Sequence, residues 1–405
     1  MSGPVADRAE VAAIAEAIAG APLATFDLEF LSADRLVPTL CLVQVSWLPS
    51  HSRLDVPEAA IVATVPEVRL LDPLAVDVRP VVEALAAHAL VVAHAPRQDL
   101  GLLATRFGVA MPNVVDTQLM AAFAGIGDQV GLATLANEIL GLTLGKEQQW
   151  TDWGTRPLSA AQLAYADSDV RHLPALFAKL RTRLGDRLPW VRAESAQVAA
   201  DAVAASAVTP ETAWRQLGGL RGMDAHALAA AISLAAWRQR TAIELDRPLG
   251  QVLNEKVLID LARHRPAHAN TVRSLKGMSP LAKQRAEELV AALLSADPDA
   301  ARELVQVSGR SPSQRAQRWA ELLLSIVQLV ADRTGVAARL LATRADAEEL
   351  ARVVDEQGVA AAEALPALAS WRRGVIGQLW LDWLAGKASL AGDLEAPSGL
   401  QIIAR

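Results

Sequence analysis

Short apolar runs alternate with amphipathic segments through the first part of the chain. Apolar and β-branched residues bounded by Gly, Pro or polar residues predict strands at 23–30, 39–45, 68–73, 89–94 and 114–115. Helical periodicity lies between them, and residues 49–66 are expected to form a long loop extension of a hairpin. Strands interleaved with helices predict an α/β domain.

From Thr117 onward every strong pattern is helical. Breaks near 205–212 and at 308–313 divide the chain into an α/β domain over 1–205 and helical domains over 210–300 and 312–395. Each is long enough for its own core. The two helical regions share weak similarity, such as Leu-Ala-Arg at 261–263 and 350–352, which indicates a duplicated module. Residues from Ala388 are expected to form a loose tail.

Composition gives an expectation for the cellular location of the protein, whereas net charge does not identify its binding partner. Residues 1–205 carry 15 Lys and Arg against 23 Asp and Glu, while the rest carries 24 and 22, so net charge neither supports nor excludes nucleic acid. The single cysteine, Cys41, excludes an intramolecular disulfide framework. With no signal-like amino terminus and no apolar run near the ~20 residues that span a bilayer, we expect a cytoplasmic protein that makes no membrane contact.

Two acids lie within the first apolar strand. Residues two apart on a strand point to the same face, so Asp27 and Glu29 are expected to project together. Paired carboxylates in an apolar strand repel each other and are costly to desolvate, and a bound divalent cation is the usual reason for keeping them. The pair therefore predicts a metal site.

A metal-dependent reaction on phosphate needs further acids from other elements. Asp99 follows a buried strand at the start of a helix. Tyr165, which is the only tyrosine of the chain, and Asp169 are four residues apart on one helix face. The phenol could orient or deprotonate an attacking water.

Each of these features has an ordinary structural explanation. An isolated Asp-X-Glu is more often solvated than metal-binding, Asp99 alone could favour a helix dipole, and a Tyr and an Asp one turn apart could be a surface pair. The combination in this order is much harder to attribute to chance.

Three segments together resemble the exonuclease motifs of the ribonuclease D family. The first is Phe-Asp-Leu-Glu-Phe at 26–30 followed by Pro-Thr-Leu-Cys-Leu-Val-Gln at 38–44. Arg-Gln-Asp-Leu at 97–100 with Asp-Thr-Gln at 116–118 resembles the second. Thr-Asp-Trp at 151–153, Arg-Pro-Leu at 156–158 and Tyr-Ala-Asp-Ser-Asp-Val at 165–170 resemble the third.

The resemblance implies a ribonuclease H-like exonuclease domain, with a mixed sheet flanked by helices, of the DEDD superfamily. Tyr165 places the chain in the tyrosine branch, because the histidine branch has its His where this chain has Ala164. Two Mg²⁺ or Mn²⁺ ions are then expected on Asp27, Glu29, Asp99 and Asp169. Expected substrate contacts are Phe30, His94, Gln98, Lys146 and Trp153, and Trp150 is a further candidate beside the substrate path.

The helical region at 212–297 resembles the HRDC domain, and the third region resembles the divergent second copy that ribonuclease D carries. The implied fold is thus an α/β exonuclease domain followed by two all-α HRDC-like domains. HRDC domains are implicated in nucleic-acid binding, and candidate phosphate contacts are Arg238, Arg240, Arg247, Arg263, Arg265, Arg273, Lys276, Lys283 and Arg285. For each of them alone, a solvated helix face is the ordinary explanation.

These expectations combine into a monomeric 3′→5′ exoribonuclease that releases nucleoside 5′-monophosphates from structured RNA, such as a tRNA precursor. Two alternatives stay open: a DNA exonuclease of the same chemistry, and a nucleic-acid-binding module with a silent nuclease. No nucleotide cofactor is expected, because Gly141 to Lys146 has three residues rather than four between its glycines and lacks the hydroxyl that follows the Lys of a phosphate-binding loop.

Overall fold

The amino-terminal region is built around a five-stranded mixed sheet. The computed structural model describes residues 3–52, 55, 57–145, 148, 151–220, 222–304 and 312–405. The strands are β1 (Ala24–Leu31), β2 (Thr39–Trp47), β3 (Glu67–Leu71), β4 (Val91–Ala93) and β5 (Val114–Asp116). All five lie where the apolar runs predict them.

Strand β1 is the centre of the sheet, whose order is β3-β2-β1-β4-β5. It pairs antiparallel with β2 and parallel with β4, and Asp27 lies directly opposite Gln44 of β2. The register shifts after Glu29, which marks a bulge at the end of the acid-bearing segment. The parallel pairing brings the carboxyl ends of β1 and β4 to the same edge.

Nine helices flank this sheet within the residues described up to Ser206. They are α1 (Arg8–Ala19), α2 (Glu58–Val62), α3 (Arg79–Ala87), α4 (Arg97–Phe107), α5 (Thr117–Phe123), α6 (Leu132–Leu140), α7 (Ala160–Arg171), α8 (Leu173–Leu184) and α9 (Leu188–Ser206). Phe26 and Leu28 of β1 face one core with α1, α3 and α4. Asp27 and Glu29, which follow them in alternation, therefore face the opposite side, where α7 packs against β1, β2 and β3.

The connection at 49–66 is not a simple loop extension. It contains α2, whose Ile61 is buried and which packs against α8. The prediction missed this helix because five residues are too few to show a periodic pattern.

The second region is all helical in its described residues. Its helices are α10 (Ala225–Leu245), α11 (Leu249–Val252), α12 (Glu255–His264), α13 (Ala269–Ser274), α14 (Pro280–Gln284), α15 (Ala286–Leu294) and α16 (Pro298–Leu304). They enclose a separate core that includes Leu234, Leu258 and Leu289.

The third region repeats the beginning of the second. Its elements are α17 (Gln314–Thr334), α18 (Ala338–Leu341), α19 (Arg344–Gln357), α20 (Val359–Ala362), α21 (Ser370–Arg372), a π-helical turn (Arg373–Gly377) and α22 (Gln378–Leu384). Both α10 and α17 have 21 residues, and α11 and α18 have four residues each and follow at the same spacing. This order supports the predicted duplication.

The end of the chain is ordered rather than a loose tail. Strands β6 (Ala388–Gly392) and β7 (Leu400–Ala404) form an antiparallel hairpin that packs against α17 and α22. The third region is therefore not all-α. The prediction failed because the strands are short and their residues are only half-buried, so alternation is weak.

The third region does not have a core of its own. Leu323, Val330 and Leu350 belong to one hydrophobic cluster with Phe123 and Phe177 of the first region. The contact is reinforced by Arg372, whose guanidinium donates to both carboxylate oxygens of Glu194 at 2.6 and 2.8 Å. The expectation of a separate core for each domain is wrong here.

The second region contacts the loop that follows β1. Asp246 pairs with Arg35 at 2.9 Å and accepts a hydrogen bond from the Leu36 amide, while Gln251 donates to the Ala33 carbonyl at 2.7 Å. Leu36 also packs against the core of the second region. Both helical regions thus contact the α/β region.

None of the helices that the structure describes combines the length and the apolar character needed to cross a membrane.

Candidate active site

Three of the predicted acids meet at the edge of the sheet. Asp27 and Glu29 project from β1, Asp169 projects from α7, and one carboxylate oxygen of each lies within 4.8 Å of the other two. All three are half-buried. Side chains 140 residues apart in the chain thus form one group of oxygen ligands.

Helix α7 is fixed in place at both ends. Ser159 and Gln162 form a capping box at its start. At its end the Val170 carbonyl accepts a hydrogen bond from Ser46 of β2 at 3.0 Å, and Ser46 also bonds Thr25 of β1 at 2.7 Å. These contacts hold Asp169 over the strand that carries the other two acids.

Asp99 approaches from a third element. It is buried in the first turn of α4, directly after β4. It lies outside the tight group of three, but burial together with the charges of Asp27 and Glu29 raises its pKa well above the usual range. The fourth acid is therefore an electrostatic neighbour of the group.

Burial and mutual repulsion make the ionised cluster costly. Burial raises the pKa of Asp27 to about 7 and that of Asp169 to about 8. Burial, with the charges of Asp27 and Asp169, raises the pKa of Glu29 to about 9. Oxygen donors that lose their negative charge so readily, yet converge within ligand distance, fit a divalent cation, whose charge would favour the ionised forms.

Tyr165 lies in the same group. Burial, the neighbouring carboxylates and a hydrogen bond with Asp169 raise the pKa of its phenol. The hydroxyl therefore stays protonated, which favours a role in orienting a water molecule over a role as a base. Sequence reasoning left both roles open.

Trp153 supports this tyrosine instead of facing the substrate. Its side chain is 2% exposed, and its ring centroid lies 6.0 Å from that of Tyr165. The expectation of a substrate contact is wrong, because an apolar ring in this position is buried beneath α7 together with Leu158 and Leu163.

Arg156 stabilises the loop that contains Trp153. This role of Arg156 was not predicted from the sequence. Its guanidinium donates to both carboxylate oxygens of Asp72 at 2.6 and 2.8 Å, to the Cys41 carbonyl at 2.6 Å and to the Trp153 carbonyl at 2.8 Å. The signal was its place in the third motif, but without the fold no partner could be assigned.

A cleft of about 410 Å³ opens onto the acids. Its lining combines Asp27, Glu29, Tyr165 and Asp169 with His94, Ala95, Gln118, Gly131, Leu132, Ala133, Leu144, Gly145 and Leu173. Gln118 and the residues from 131 to 145 were not predicted. Gln118 belongs to the second motif, whereas the apolar wall has no sequence signal of its own.

Of the remaining predicted substrate contacts, some line the cleft and others do not. His94 lines the cleft, bonds Thr117 Oγ1 through Nδ1 at 2.9 Å, and has its pKa lowered to about 4 by burial, so it is neutral. Gln98 is exposed at the start of α4, and Phe30 packs against the core on the other side of the sheet, so neither joins the described lining. Phe30 continues the alternation of Phe26 and Leu28, so its side chain faces away from Asp27 and Glu29. Lys146 and Trp150 lie outside the described residues.

Comparison with known proteins agrees with this arrangement. Residues 4–185 match the 3′-5′ exonuclease family, and residues 227–293 match the HRDC domain. The chain is 35% identical to ribonuclease D of Acidiphilium cryptum over 94% of its own length and 92% of the relative's. It is 34% identical to ribonuclease D of Jannaschia sp., over 94% and 95% of the two lengths.

A solved structure shares the fold. That of Escherichia coli RNase D, described as an exoribonuclease involved in structured RNA processing, aligns with a TM-score of 0.75 at 24% identity, over 95% of this chain and 99% of that one. The exonuclease family is metal-dependent, and the acid cluster of this chain fits that property. This chain therefore belongs to the ribonuclease D family and is a 3′-5′ exoribonuclease with an exonuclease domain followed by an HRDC domain.

Proposed function

We propose that Asp27, Glu29, Asp99 and Asp169 hold two Mg²⁺ or Mn²⁺ ions and that the enzyme trims the 3′ ends of structured RNA. The observation that carries the proposal is the convergence of three carboxylates within 4.8 Å, with Asp99 coupled to them by charge. Such ions supply an activated water and neutralise charge on the scissile phosphate.

The residues of the chain contribute position. Tyr165, held by Asp169 and by the ring of Trp153, orients the attacking water in line with the P–O3′ bond, so that the 3′-oxygen of the penultimate nucleotide is the leaving group. Cleavage of the P–O3′ bond releases a nucleoside 5′-monophosphate and leaves a new 3′-hydroxyl on the RNA. His94, as a neutral imidazole, and Gln118 offer hydrogen bonds to the terminal nucleotide in the cleft.

The relatives and the architecture support the substrate class that we propose. The fold is that of an exoribonuclease described as acting in structured RNA processing, and a tRNA precursor is a substrate of this kind. The cleft admits a single-stranded end, while the HRDC-like regions, of which 312–395 is the divergent copy, bind the folded part of the RNA. We place the enzyme in the cytoplasm, where it acts as a monomer.

The decisive experiment uses 5′-labelled RNA with a structured 5′ part and a single-stranded 3′ end. Incubation with Mg²⁺ or Mn²⁺ should give a ladder that shortens from the unlabelled end, and chelator should stop it. Digestion that continues in chelator, or shortening from the labelled end, would contradict the proposal. A matched DNA strand in parallel tests how far the enzyme requires the 2′-hydroxyl.

Replacing Asp27 by Asn should abolish this ladder while RNA binding persists, because the amide removes a metal-ligand charge without changing the shape of the side chain. Asp167→Asn is the matched control on α7, since Asp167 pairs with Arg171 and lies outside the acid cluster. Equal loss of activity in the Asp27 and Asp167 variants would indicate structural damage and would contradict the assignment of Asp27 as a metal ligand.

A further inference from the structure

Gln44 lies at the back of the catalytic centre without a hydrogen-bonding role of its own. It is directly opposite Asp27 in the β1–β2 ladder. Directly opposite residues of an antiparallel pair project to the same face of the sheet. Gln44 therefore projects to the side on which Asp27 meets Glu29 and Asp169.

Its amide is buried and unpaired. Gln44 is 0% exposed, and neither Nε2 nor Oε1 has a hydrogen-bond partner among the described residues. Buried polar groups almost always have partners, because an unpaired one forfeits the hydrogen bonds that it makes to water in the unfolded chain. A glutamine at this position is therefore unfavourable for the fold as it stands.

The neighbouring pairs on the same face show that the strand does not need an amide for packing. Thr25 and Ser46, one pair back, bond each other and the Val170 carbonyl, so their polar atoms are paired. One pair forward, Leu42 lies opposite Glu29 and is fully buried. An apolar residue would fill the position of Gln44 equally well, so its amide calls for an explanation in function.

We propose that Gln44 is a positioning residue of the metal site, whose Nε2 donates a hydrogen bond to the Asp27 carboxylate when that carboxylate is ionised and bound to metal. The inference rests on the metal site proposed above. Cβ atoms of directly opposite residues are about 4.5–5.5 Å apart, which a glutamine spans by rotation of its side chain. Carboxylates that bind metals are usually fixed by such a second contact. An uncharged amide provides it without adding to the repulsion among the acids.

The test measures Mn²⁺ binding by full-length protein in the absence of RNA, using isothermal titration calorimetry. Gln44→Met keeps the length of the side chain and removes its hydrogen bonds. We expect Mn²⁺ affinity to fall by about 10–100-fold, while the melting temperature of the metal-free protein stays the same or rises. A role confined to the fold would give the reverse, with a lower melting temperature and unchanged Mn²⁺ affinity, and would overturn the proposal.

Two further variants keep the experiment decisive. Gln44→Leu repeats it with a different apolar shape in case Gln44→Met does not fold. Gln239→Met, the same change at a buried position of α10 in the second region, should leave Mn²⁺ affinity at the parent value.

The outcomes also separate this inference from the proposed function. If the parent protein binds no Mn²⁺, or if Asp27→Asn binds it as tightly as the parent does, the metal site itself is refuted. If the parent binds Mn²⁺ through Asp27 and the Gln44 variants bind equally well, the role of Gln44 alone is refuted.

Discussion

The carboxyl group of Asp27 is suited to binding a cation, but its ionised form is unfavourable in the folded protein. Its pKa is raised to about 7 by burial, and the pKa of its neighbour Glu29 is raised to about 9. Without a counter-ion these groups are most stable as neutral acids. The metal site that we propose accounts for this cost, because ligands for a divalent cation are ionised oxygens held close together.

The stability of the metal-free protein should therefore decrease as the pH rises. Ordinary carboxyl groups lose their protons near the reference pKa values of 3.8 and 4.5. Between those values and pH 7–9 the unfolded chain has released protons that the folded chain still holds, so the free energy of unfolding falls with rising pH. Calorimetric melting in chelator from pH 5 to pH 9 measures this effect.

The control for this measurement is Asp27→Asn, which removes one of the titrating groups. Its melting temperature should depend less steeply on pH than that of the parent, and Mn²⁺ at pH 8 should raise the melting temperature of the parent much more than that of the variant. Parallel pH profiles for the two proteins would show that the cluster does not titrate as inferred.

Tyr165→Phe should slow the chemical step by about 10²-fold with little change in RNA affinity. The phenyl ring can keep its contact with Trp153, but the hydroxyl that bonds Asp169, and that we propose orients the water, is lost. Single-turnover rates at saturating RNA, with equilibrium binding measured separately, check this. An unchanged rate would remove Tyr165 from the mechanism.

At the scale of elements, α9 contacts the third region through one compact cluster of charged and aromatic side chains. Arg372 bonds both oxygens of Glu194, Trp371 donates to the same carboxylate at 2.9 Å, and Trp371 stacks on Trp190 with 5.1 Å between ring centroids. The side chain of Glu194 is only 15% exposed, so it has little access to water as an alternative partner.

Arg372→Ala should lower the free energy of unfolding by about 1–3 kcal/mol, because the Glu194 carboxylate loses a charged partner in a poorly solvated position. Arg344→Ala is the matched control. Its partner Glu321 is exposed, and such surface pairs contribute about 0–1 kcal/mol. Urea denaturation of both variants makes the comparison, and equal effects would mean that the cluster is not a structural joint.

At the scale of the whole molecule, each helical region holds a different part of the exonuclease domain. The second region bonds the loop after β1 through Asp246 and Gln251. The third region bonds the end of α5, where the Ala337 amide donates to the Ala122 carbonyl, and the turn before α6, where Arg339 pairs with Asp128. The residues that follow this turn, 131–133, line the cleft. The helical regions therefore support the site as well as extending it.

The double variant Asp246→Asn with Gln251→Ala should weaken the contact of the second region with the loop after β1. For a long structured RNA we expect KM to rise by up to about fivefold, equivalent to about 1 kcal/mol. A dinucleotide has no folded part for the second region to bind, so its kcat/KM should not change. Steady-state kinetics on both substrates test this.

Asp299→Asn is the control for the double variant, because Asp299 pairs with Arg302 inside the second region. It should leave both substrates unaffected. A rise in KM for the dinucleotide in the double variant would show that the contact acts on the acids themselves and not on RNA held by the second region.

The sequence alone determined the features that depend on local pattern. Short runs of apolar and β-branched residues located all five strands of the main sheet, and helical spacing placed Asp99 at the start of α4 and Tyr165 and Asp169 one turn apart on α7. The resemblance of three motifs to ribonuclease D indicated which acids belong together. These features are readable because they depend on residue type and spacing within one element.

Only the tertiary structure decided what lies between elements. It buried Trp153 beneath Tyr165, gave Arg156 its partner Asp72, merged the third region with the first core, and left the amide of Gln44 unpaired on the strand opposite Asp27. A residue's burial and partners depend on elements that are distant in the chain. Pattern within a single segment therefore carries no information about them.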